Sequence, residues 1–389
     1  MQPDIRSQTK EELETRFKTW GEPAYRVTQL LKWLYADRAT DWDAMTNLPK
    51  ALRALLRENF LLQAIELVRK QGARLRGDEA ALAAQARDTT QKFLWKLSDG
   101  SFIESVLIPA NPALYSEPSD RHTLCVSTQV GCAYGCKFCA SGLAGWKRNL
   151  RVEEIVEQVL AVERQSRVES REPRAGESGS SPRPSTLDPR LIDNLVIMGM
   201  GEPLANCDNL LKALNILNAP WGGGIGARKI TVSTSGLAPQ IIRLADEPKQ
   251  FRLAISLHGA TDEVRSRIMP VNRKYPLREL IPACEYYQQK KGRMLTLEYI
   301  LIAGVNDGLD QAKPLAQLAR RLNAKVNLIP YNNVEGLPWE RPGEAAQENF
   351  LRALEKQKVA ATLRREKGGD IDAACGQLRL KTERELASA

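Results

Sequence analysis

The chain has 389 residues, of which 43% are hydrophobic, so its length predicts two or three domains around a sizeable core. Lysine and arginine outnumber aspartate and glutamate by 56 to 47, and this basic balance favours an anionic partner such as nucleic acid. No run approaches the ~18 apolar residues of a membrane span, and the first residues lack an apolar signal-peptide core. We therefore expect a cytoplasmic protein with no membrane segment, in which the seven cysteines stay reduced.

Residues 1–60 are predicted to form a small helical N-terminal domain. Thr9 precedes an acidic first turn in the manner of a helix cap, and Pro49 stands where a later helix begins. Arg53 and Arg57 fall on the outer face of that later helix. These arginines indicate either an RNA-contacting surface or an ordinary solvated face, and the residues alone leave both interpretations open.

Residues 61–122 are rich in strand-forming side chains and are predicted to form a connecting segment. From residue 123 to residue 380, strands and helices alternate. This alternation predicts a parallel sheet in an α/β fold, and polar residues after the strand ends suggest a partial (βα)6 TIM-like barrel. The predicted strands are 123–129, 194–198, 229–233, 252–257, 295–302 and 325–329, and the predicted helices are 151–165, 207–217, 237–246, 261–268, 277–290 and 310–322.

Three further segments are predicted to be irregular. Residues 166–190 have no aromatic side chain and much serine, proline and charge, so we expect a disordered loop insertion in the barrel. Residues 221–226 are glycine-rich, but they precede a strand and lack the lysine of a phosphate-binding loop, so they are predicted to be an ordinary loop. Residues 381–389 are interpreted as a C-terminal tail.

The run Cys132-x-x-x-Cys136-x-x-Cys139 is the strongest chemical signal in the chain. Three thiolates at this spacing suit a [4Fe-4S] cluster, whereas structural zinc prefers four closed nitrogen or sulfur ligands. Only two histidines exist in the whole chain to complete such a zinc site. With three cysteine ligands, one iron stays open to bind a reactant, which indicates an enzyme. The run resembles the signature of the radical S-adenosylmethionine (SAM) superfamily. A redox disulfide or a zinc knuckle is the alternative.

Polar residues follow several of the predicted strands. Because the carboxyl ends of parallel strands meet at one face of a barrel, we expect these residues to line a common ligand site. A glycine there permits close backbone approach, a carboxylate can receive an amino group, and hydroxyl or amide groups suit a ribose, a carboxylate or an adenine edge. The candidate residues are Gly201, Glu202, Ser233, Ser256 and Asn332.

The chain resembles the RlmN/Cfr family of radical SAM RNA methyltransferases from about residue 20 to about residue 380. Within this family, the Gly-Glu-Pro-Leu and Asp-Ile-Asp-Ala-Ala-Cys motifs are closer to the RlmN branch than to the Cfr branch. The resemblance implies SAM contacts at Leu257 and His258 beside those named above. The matching segments are 129–142, 198–204, 233–236, 256–258 and 369–378.

The resemblance also implies an activity and a mechanism. The RlmN branch methylates C2 of an adenosine in large-subunit (23S) rRNA and of one in the tRNA anticodon loop. Adenine C2 is too electron-poor to attack the SAM methyl directly, so one SAM methylates a cysteine and a second is cleaved reductively to give a 5′-deoxyadenosyl radical. The radical takes a hydrogen from the new methyl, and the resulting carbon radical adds to the base.

By motif match, Cys375 is the methylated cysteine and Cys125 releases the RNA adduct by forming a disulfide. Glu104 matches the acidic residue assigned as proton acceptor, although Cys125 could equally remove the C2 proton. Cys207 and Cys284 match no family motif and are interpreted as buried small residues.

The expected partners are rRNA, tRNA and an electron donor such as flavodoxin or ferredoxin, and we expect a monomer. The alternative enzyme is a C8 adenine methyltransferase of the Cfr type. A non-enzymatic alternative is an RNA-binding protein with a structural cluster. That alternative leaves Cys125, Glu104 and Cys375 without a purpose.

Overall fold

The computed structural model describes residues 2–63, 65–72, 90–109, 121–143, 145–171, 191–364 and 376–387. Within these ranges, we find no helix with the length and apolar content needed to span a membrane. The helices are α1 Lys10–Thr19, α2 Tyr25–Leu31, α3 Lys50–Asn59, α4 Val152–Arg171, α5 Cys207–Asn218, α6 Ala238–Asp246, α7 Asp262–Ile268, α8 Leu277–Lys291, α9 Leu309–Arg321, α10 Glu344–Lys356 and α11 Gln377–Ala387.

One long sheet organises the molecule, with its strands in the order β1-β2-β3-β4-β7-β8-β9-β10-β11-β12. Strands β1 to β4 pair antiparallel, and every pairing from β4 to β12 is parallel. The mixed α/β fold with a parallel sheet is therefore confirmed. The strands are β1 Glu66–Gly72, β2 Gln91–Lys96, β3 Phe102–Pro109, β4 His122–Cys125, β5 Gln129–Gly131, β6 Trp146–Asn149, β7 Ile192–Ile197, β8 Ile230–Thr234, β9 Arg252–Ser256, β10 Leu295–Leu301, β11 Ala324–Pro330 and β12 Ala361–Leu363.

Three of the expected segments differ in structure from what the sequence predicted. The expected strand 123–129 is interrupted, because its last residues leave the long sheet and β5 pairs with β6 in a separate hairpin. Helix α4 continues to Arg171 and so enters the expected loop 166–190, of which residues 172–190 lie outside the described part of the chain. Helix α11 covers most of the expected tail 381–389, because its residues dock on the sheet.

The N-terminal helices form as the sequence predicts. Thr9 and Glu12 make a reciprocal capping box at the start of α1, and Pro49 caps α3. Their apolar side chains join the main hydrophobic core. A buried ion pair fixes the short helical turn that precedes α1 to α4, with 3.2 Å between Arg6 Nη1 and Glu157 Oε2. Because both charges are buried, breaking this pair would leave an uncompensated charge in the core.

Arg53 and Arg57 both pair with Asp43, at 3.5 and 3.0 Å. The Arg53 side chain is only 14% exposed, whereas that of Arg57 is 53% exposed. Of the two arginines considered for an RNA contact, Arg57 is therefore the one that is accessible to a phosphate.

The glycine-rich segment 221–226 is a loop, as expected.

Candidate active site

A pocket of about 370 Å³ opens where the carboxyl ends of β7 to β11 meet the loop that follows β5. This is the face at which parallel α/β enzymes bind their ligands. The sequence predicted this convergence, and most of the predicted ligand residues do meet here. The predicted residues that line the pocket are Cys132, Cys136, Cys139, Gly201, Glu202, Ser233, Ser256, His258 and Asn332.

The cysteine loop is held in shape by backbone hydrogen bonds. The N–H of Cys132 donates to Gly145 O at 3.1 Å, and the N–H of Cys139 donates to Cys136 O at 3.1 Å. Gly131 makes the close approach to Gly145 possible, because a Cβ on Gly131 would lie 1.9 Å from the Gly145 carbonyl oxygen. The three thiols are thereby presented to one cavity.

These cysteines fit an iron–sulfur cluster. Each thiolate of such a cluster binds a different iron, so the sulfurs need not converge on one point. Among the residues that the structure describes, no group of three metal-ligating side chains converges on a single ion. Burial raises the pKa of Cys132 to about 12, so binding of a cluster there must displace a proton.

Gly201 lets the loop after β7 approach the cysteine hairpin. Its φ is +99°, and a Cβ at this position would lie 2.5 Å from the Cβ of Gln129. The Gln129 side chain in turn accepts a hydrogen bond from the Glu202 N–H at 2.8 Å. Only glycine satisfies both the backbone conformation and the close contact.

Glu202 is buried and its carboxylate is fixed by the backbone. It accepts hydrogen bonds from Ser235 N–H at 2.7 Å and from Leu204 N–H at 3.1 Å. Burial raises the pKa of this carboxyl, and the backbone donors oppose that shift. A fixed, poorly solvated carboxylate that lines the pocket suits recognition of a ligand amino group.

Hydroxyl groups from neighbouring strands meet on the pocket wall. The Oγ atoms of Ser233 and Ser256 are 3.3 Å apart, because β8 and β9 are adjacent. On the far side, Asn332 accepts a hydrogen bond from Arg341 at 3.4 Å. Leu257 does not line the pocket: its side chain is buried, and its N–H donates to Glu298 O at 3.0 Å.

His258 is a buried, neutral pocket residue. Its backbone φ is +55°, its ring lies edge-on to Phe138 and its Nδ1 accepts a hydrogen bond from Ile300 N–H. Burial, together with the charge of Arg265, lowers its pKa to about 3. Because Nδ1 is an acceptor, the proton of the neutral ring is on Nε2. This nitrogen can donate to a ligand but cannot remove a proton from one.

Sequence reasoning missed several pocket residues. Glu298 lies on a strand that was predicted, so its alternation with buried apolar neighbours could have indicated it. Arg364 follows β12, which was not predicted, so no signal pointed to it. The pocket residues absent from the prediction include Tyr134, Thr234, Ser235, Met269, Glu298, Tyr331 and Arg364.

Two of the predicted catalytic residues, Cys125 and Glu104, are not among the residues that line this pocket. Cys125 is buried at the end of β4 and pairs with Val106 of β3. Glu104 is also on β3, and its carboxylate contacts Lys92 and the first turn of α11. Cys375 lies outside the described residues, but the adjacent Gly376 is described. Cys207 and Cys284 are buried, as expected.

Arg379 on α11 has an unusual environment. Its side chain is buried, and none of its three guanidinium nitrogens has a hydrogen-bond partner in the described parts of the chain. Its backbone N–H, by contrast, donates to Glu104.

Two family patterns match the sequence. The pattern described as the ribosomal RNA large subunit methyltransferase N-terminal domain matches residues 4–62, which contain α1 to α3. The pattern of the radical SAM superfamily matches residues 188–312, which contribute much of the pocket wall.

Individual relatives match over almost their entire length. The chain is 54% identical to the probable dual-specificity RNA methyltransferase RlmN 3 of Opitutus terrae, over 98% of this chain and 96% of that protein. It is 49% identical to the probable dual-specificity RNA methyltransferase RlmN of Akkermansia muciniphila, over 98% and 97%.

A solved structure shows the same fold. The crystal structure of a radical SAM methyltransferase from Sphaerobacter thermophilus superposes with a TM-score of 0.81, at 42% identity, over 96% of this chain and 98% of that one. The sequence identities, the coverage and the superposition point to the same superfamily as the three cysteines that share one pocket. The chain belongs to the RlmN family within the radical SAM superfamily.

Proposed function

We propose that this protein is an RNA methyltransferase that acts on C2 of adenosine, in 23S rRNA and in the tRNA anticodon loop. The observation that carries the proposal is near-full-length identity of 54% and 49% to proteins named as dual-specificity RNA methyltransferases. The motif around Glu202 and the one that ends at Cys375 favour the C2 branch over the C8 branch. The basic balance of the chain suits an RNA substrate.

The residues present fit the cofactors that the superfamily uses in general. Cys132, Cys136 and Cys139 would hold a [4Fe-4S] cluster, and the carboxylate of Glu202 would receive the amino group of SAM. When bound, this pair supplies the one-electron chemistry that begins the reaction. The polar wall is completed by the Ser233 and Ser256 hydroxyls, the Nε2–H of neutral His258 and the amide of Asn332.

The remaining steps are assigned to Cys375, Cys125 and Glu104. In this proposal the Cys375 thiol carries the methyl group that reaches the base. The Cys125 thiolate then attacks the Cys375 sulfur, which forms a disulfide and breaks the bond from that sulfur to the RNA-bound carbon; the electron pair goes to this carbon, which takes up a proton as the methylated RNA leaves. Glu104 or Cys125 accepts the C2 proton, and both lie on strands that pair next to each other. The reducing electrons come from an external donor such as flavodoxin or ferredoxin, and the enzyme acts as a cytoplasmic monomer.

The test is mass spectrometry of nucleosides from 23S rRNA and tRNA of a host strain with the gene deleted. We expect 2-methyladenosine to be absent from both RNAs and to return with the wild-type gene but not with Cys375→Ala. Appearance of 8-methyladenosine on complementation would assign the enzyme to the C8 reaction instead. Unchanged methylation of both RNAs after deletion would refute the proposal.

A further inference from the structure

A buried ion pair supports the turn that follows Cys375. The Glu104 carboxylate accepts hydrogen bonds from Gly376 N–H at 2.8 Å and from Arg379 N–H at 2.7 Å. Lys92 Nζ lies 3.2 Å from the same carboxylate, and both side chains are at most 2% exposed. The first turn of α11 is therefore held by a carboxylate whose countercharge is Lys92.

The strand register places these groups on one face of the sheet. Lys92 pairs with Val106, and Val106 in turn pairs with Cys125, so these residues share a face with Glu104, two positions away on β3. The apolar side chains of the same face agree with this assignment. Leu94, Phe102 and Leu378 form a separate hydrophobic cluster beneath α11.

Gly376 links this face to the pocket. Its φ is +87°, and a Cβ there would lie 2.9 Å from the backbone of Ser141. Ser141 lines the pocket immediately after the cysteine loop. Gly376 is thus held between the Glu104 carboxylate and the cluster-binding loop. The residue that precedes it in the chain is Cys375.

We propose that Lys92 is a positioning residue, which acts through Glu104 to hold Gly376 and the first turn of α11, directly after Cys375 in the chain, against Ser141 of the pocket. The inference rests on the proposed function, because it takes Cys375 as the methyl carrier. Charge-assisted hydrogen bonds are roughly twice as strong as neutral ones, so the two bonds to the helix depend on an ionised Glu104. Lys92 keeps that buried carboxylate compensated.

The test compares Lys92→Met, Lys92→Arg and Lys96→Met as cluster-loaded enzymes. Lys96 is the matched control, because it lies on the same strand and face but is 47% exposed and pairs weakly with Glu66 at 3.9 Å. Hydrogen exchange is measured by mass spectrometry on peptides that cover residues 376–387. We expect Lys92→Met to speed exchange there by about tenfold, the size of one lost charge-assisted bond. Lys92→Arg should largely restore protection, and Lys96→Met should leave it unchanged.

A second readout follows the chemistry of the cysteine. The fraction of Cys375 that carries a methyl group, measured on peptides of the purified enzyme, should fall in Lys92→Met while the iron content stays at the wild-type level. If wild-type enzyme never carries a methyl on Cys375, the proposed function fails. The exchange result at residues 376–387 still decides whether Lys92 holds the first turn of α11 in place.

Unchanged exchange at residues 376–387 in Lys92→Met would overturn the inference. Should this variant not fold, Lys92→Met/Glu104→Gln removes both charges of the Lys92–Glu104 pair and is compared with Glu104→Gln. If Lys92 acts through Glu104, the double variant and Glu104→Gln show the same hydrogen-exchange rates at the first turn of α11. Faster exchange in the double variant would show that Lys92 acts by another route and would likewise overturn the inference.

Discussion

The imidazole Nδ1 of His258 accepts a hydrogen bond from the backbone N–H of Ile300 at 3.0 Å. This bond fixes the neutral ring in one tautomer. Burial and Arg265 lower the pKa of His258 to about 3 in the folded protein, against 6.5 for an ordinary histidine. At a pH between these two pKa values, His258 binds a proton in the unfolded chain but not in the folded one.

We therefore expect the free energy of unfolding to fall as the pH drops below about 6.5. The contribution of His258 to this slope is at most about 1.4 kcal/mol per pH unit. In His258→Asn, whose new residue tolerates the positive φ, this contribution should vanish. Urea unfolding of both proteins between about pH 7 and pH 5 measures it. Equal pH slopes for the two proteins would contradict a buried neutral histidine.

Gly201→Ala should damage the cofactor pocket. A Cβ would overlap Gln129, and φ at +99° is strained for alanine, so we expect a loss of about 1–3 kcal/mol in unfolding free energy. SAM binding, followed by calorimetry, should weaken as well. Gly226→Ala is the control, because no atom lies near its Cβ position and its φ is −56°. Equal stability of the two variants would argue against the close approach.

The two proposed catalytic cysteines should give different products when removed. Cys375→Ala lacks the methyl carrier, so neither methylated protein nor RNA product should form. Cys125→Ala keeps the carrier but lacks the thiol that releases the adduct, so protein covalently bound to RNA should accumulate. Denaturing gels of each variant, expressed in cells, would show an RNase-sensitive band for Cys125→Ala alone. Turnover by Cys375→Ala at the wild-type rate would exclude Cys375 as the carrier.

Arg57 should contribute to RNA affinity through a phosphate contact. Its side chain is accessible and needs only to exchange Asp43 for a phosphate. Each such contact adds about 0.7–0.9 to the slope of log affinity against log salt concentration. Arg57→Ala should reduce the slope by about that amount, as measured in binding titrations at several salt concentrations. Arg321→Ala removes an equally exposed arginine, which lies on α9 and pairs with Glu285 of α8, and it should leave the slope unchanged.

The sequence predicted regular elements and local motifs well, because both depend on nearby residues. The expected helix 207–217 is Cys207–Asn218, and the expected strand 295–302 is Leu295–Leu301. The short strand Ala361–Leu363 was missed, since three residues are too few to show alternation. The predicted pocket residues that follow β7, β8, β9 and β11 came together because these strands belong to the parallel part of one sheet.

Contacts between distant segments could not be predicted in the same way. Glu104 and Gly376 are far apart in sequence, and no periodic pattern links a strand residue to the backbone of a C-terminal helix. The motif match identified Glu104 as a proton acceptor but gave no sign that it binds α11. Lys92 was not singled out, because a lysine on a strand usually points to solvent.

The buried guanidinium of Arg379, for which the described residues offer no hydrogen-bond partner, affects how firmly the first turn of α11 is held. A buried charge without a partner carries a desolvation cost, and this cost opposes the bonds that Glu104 makes to the same turn. The docked position is therefore less favourable than those bonds alone would make it. The smaller the free-energy difference between this docked turn and any released position, the less differential binding energy a substrate needs to shift the balance between them.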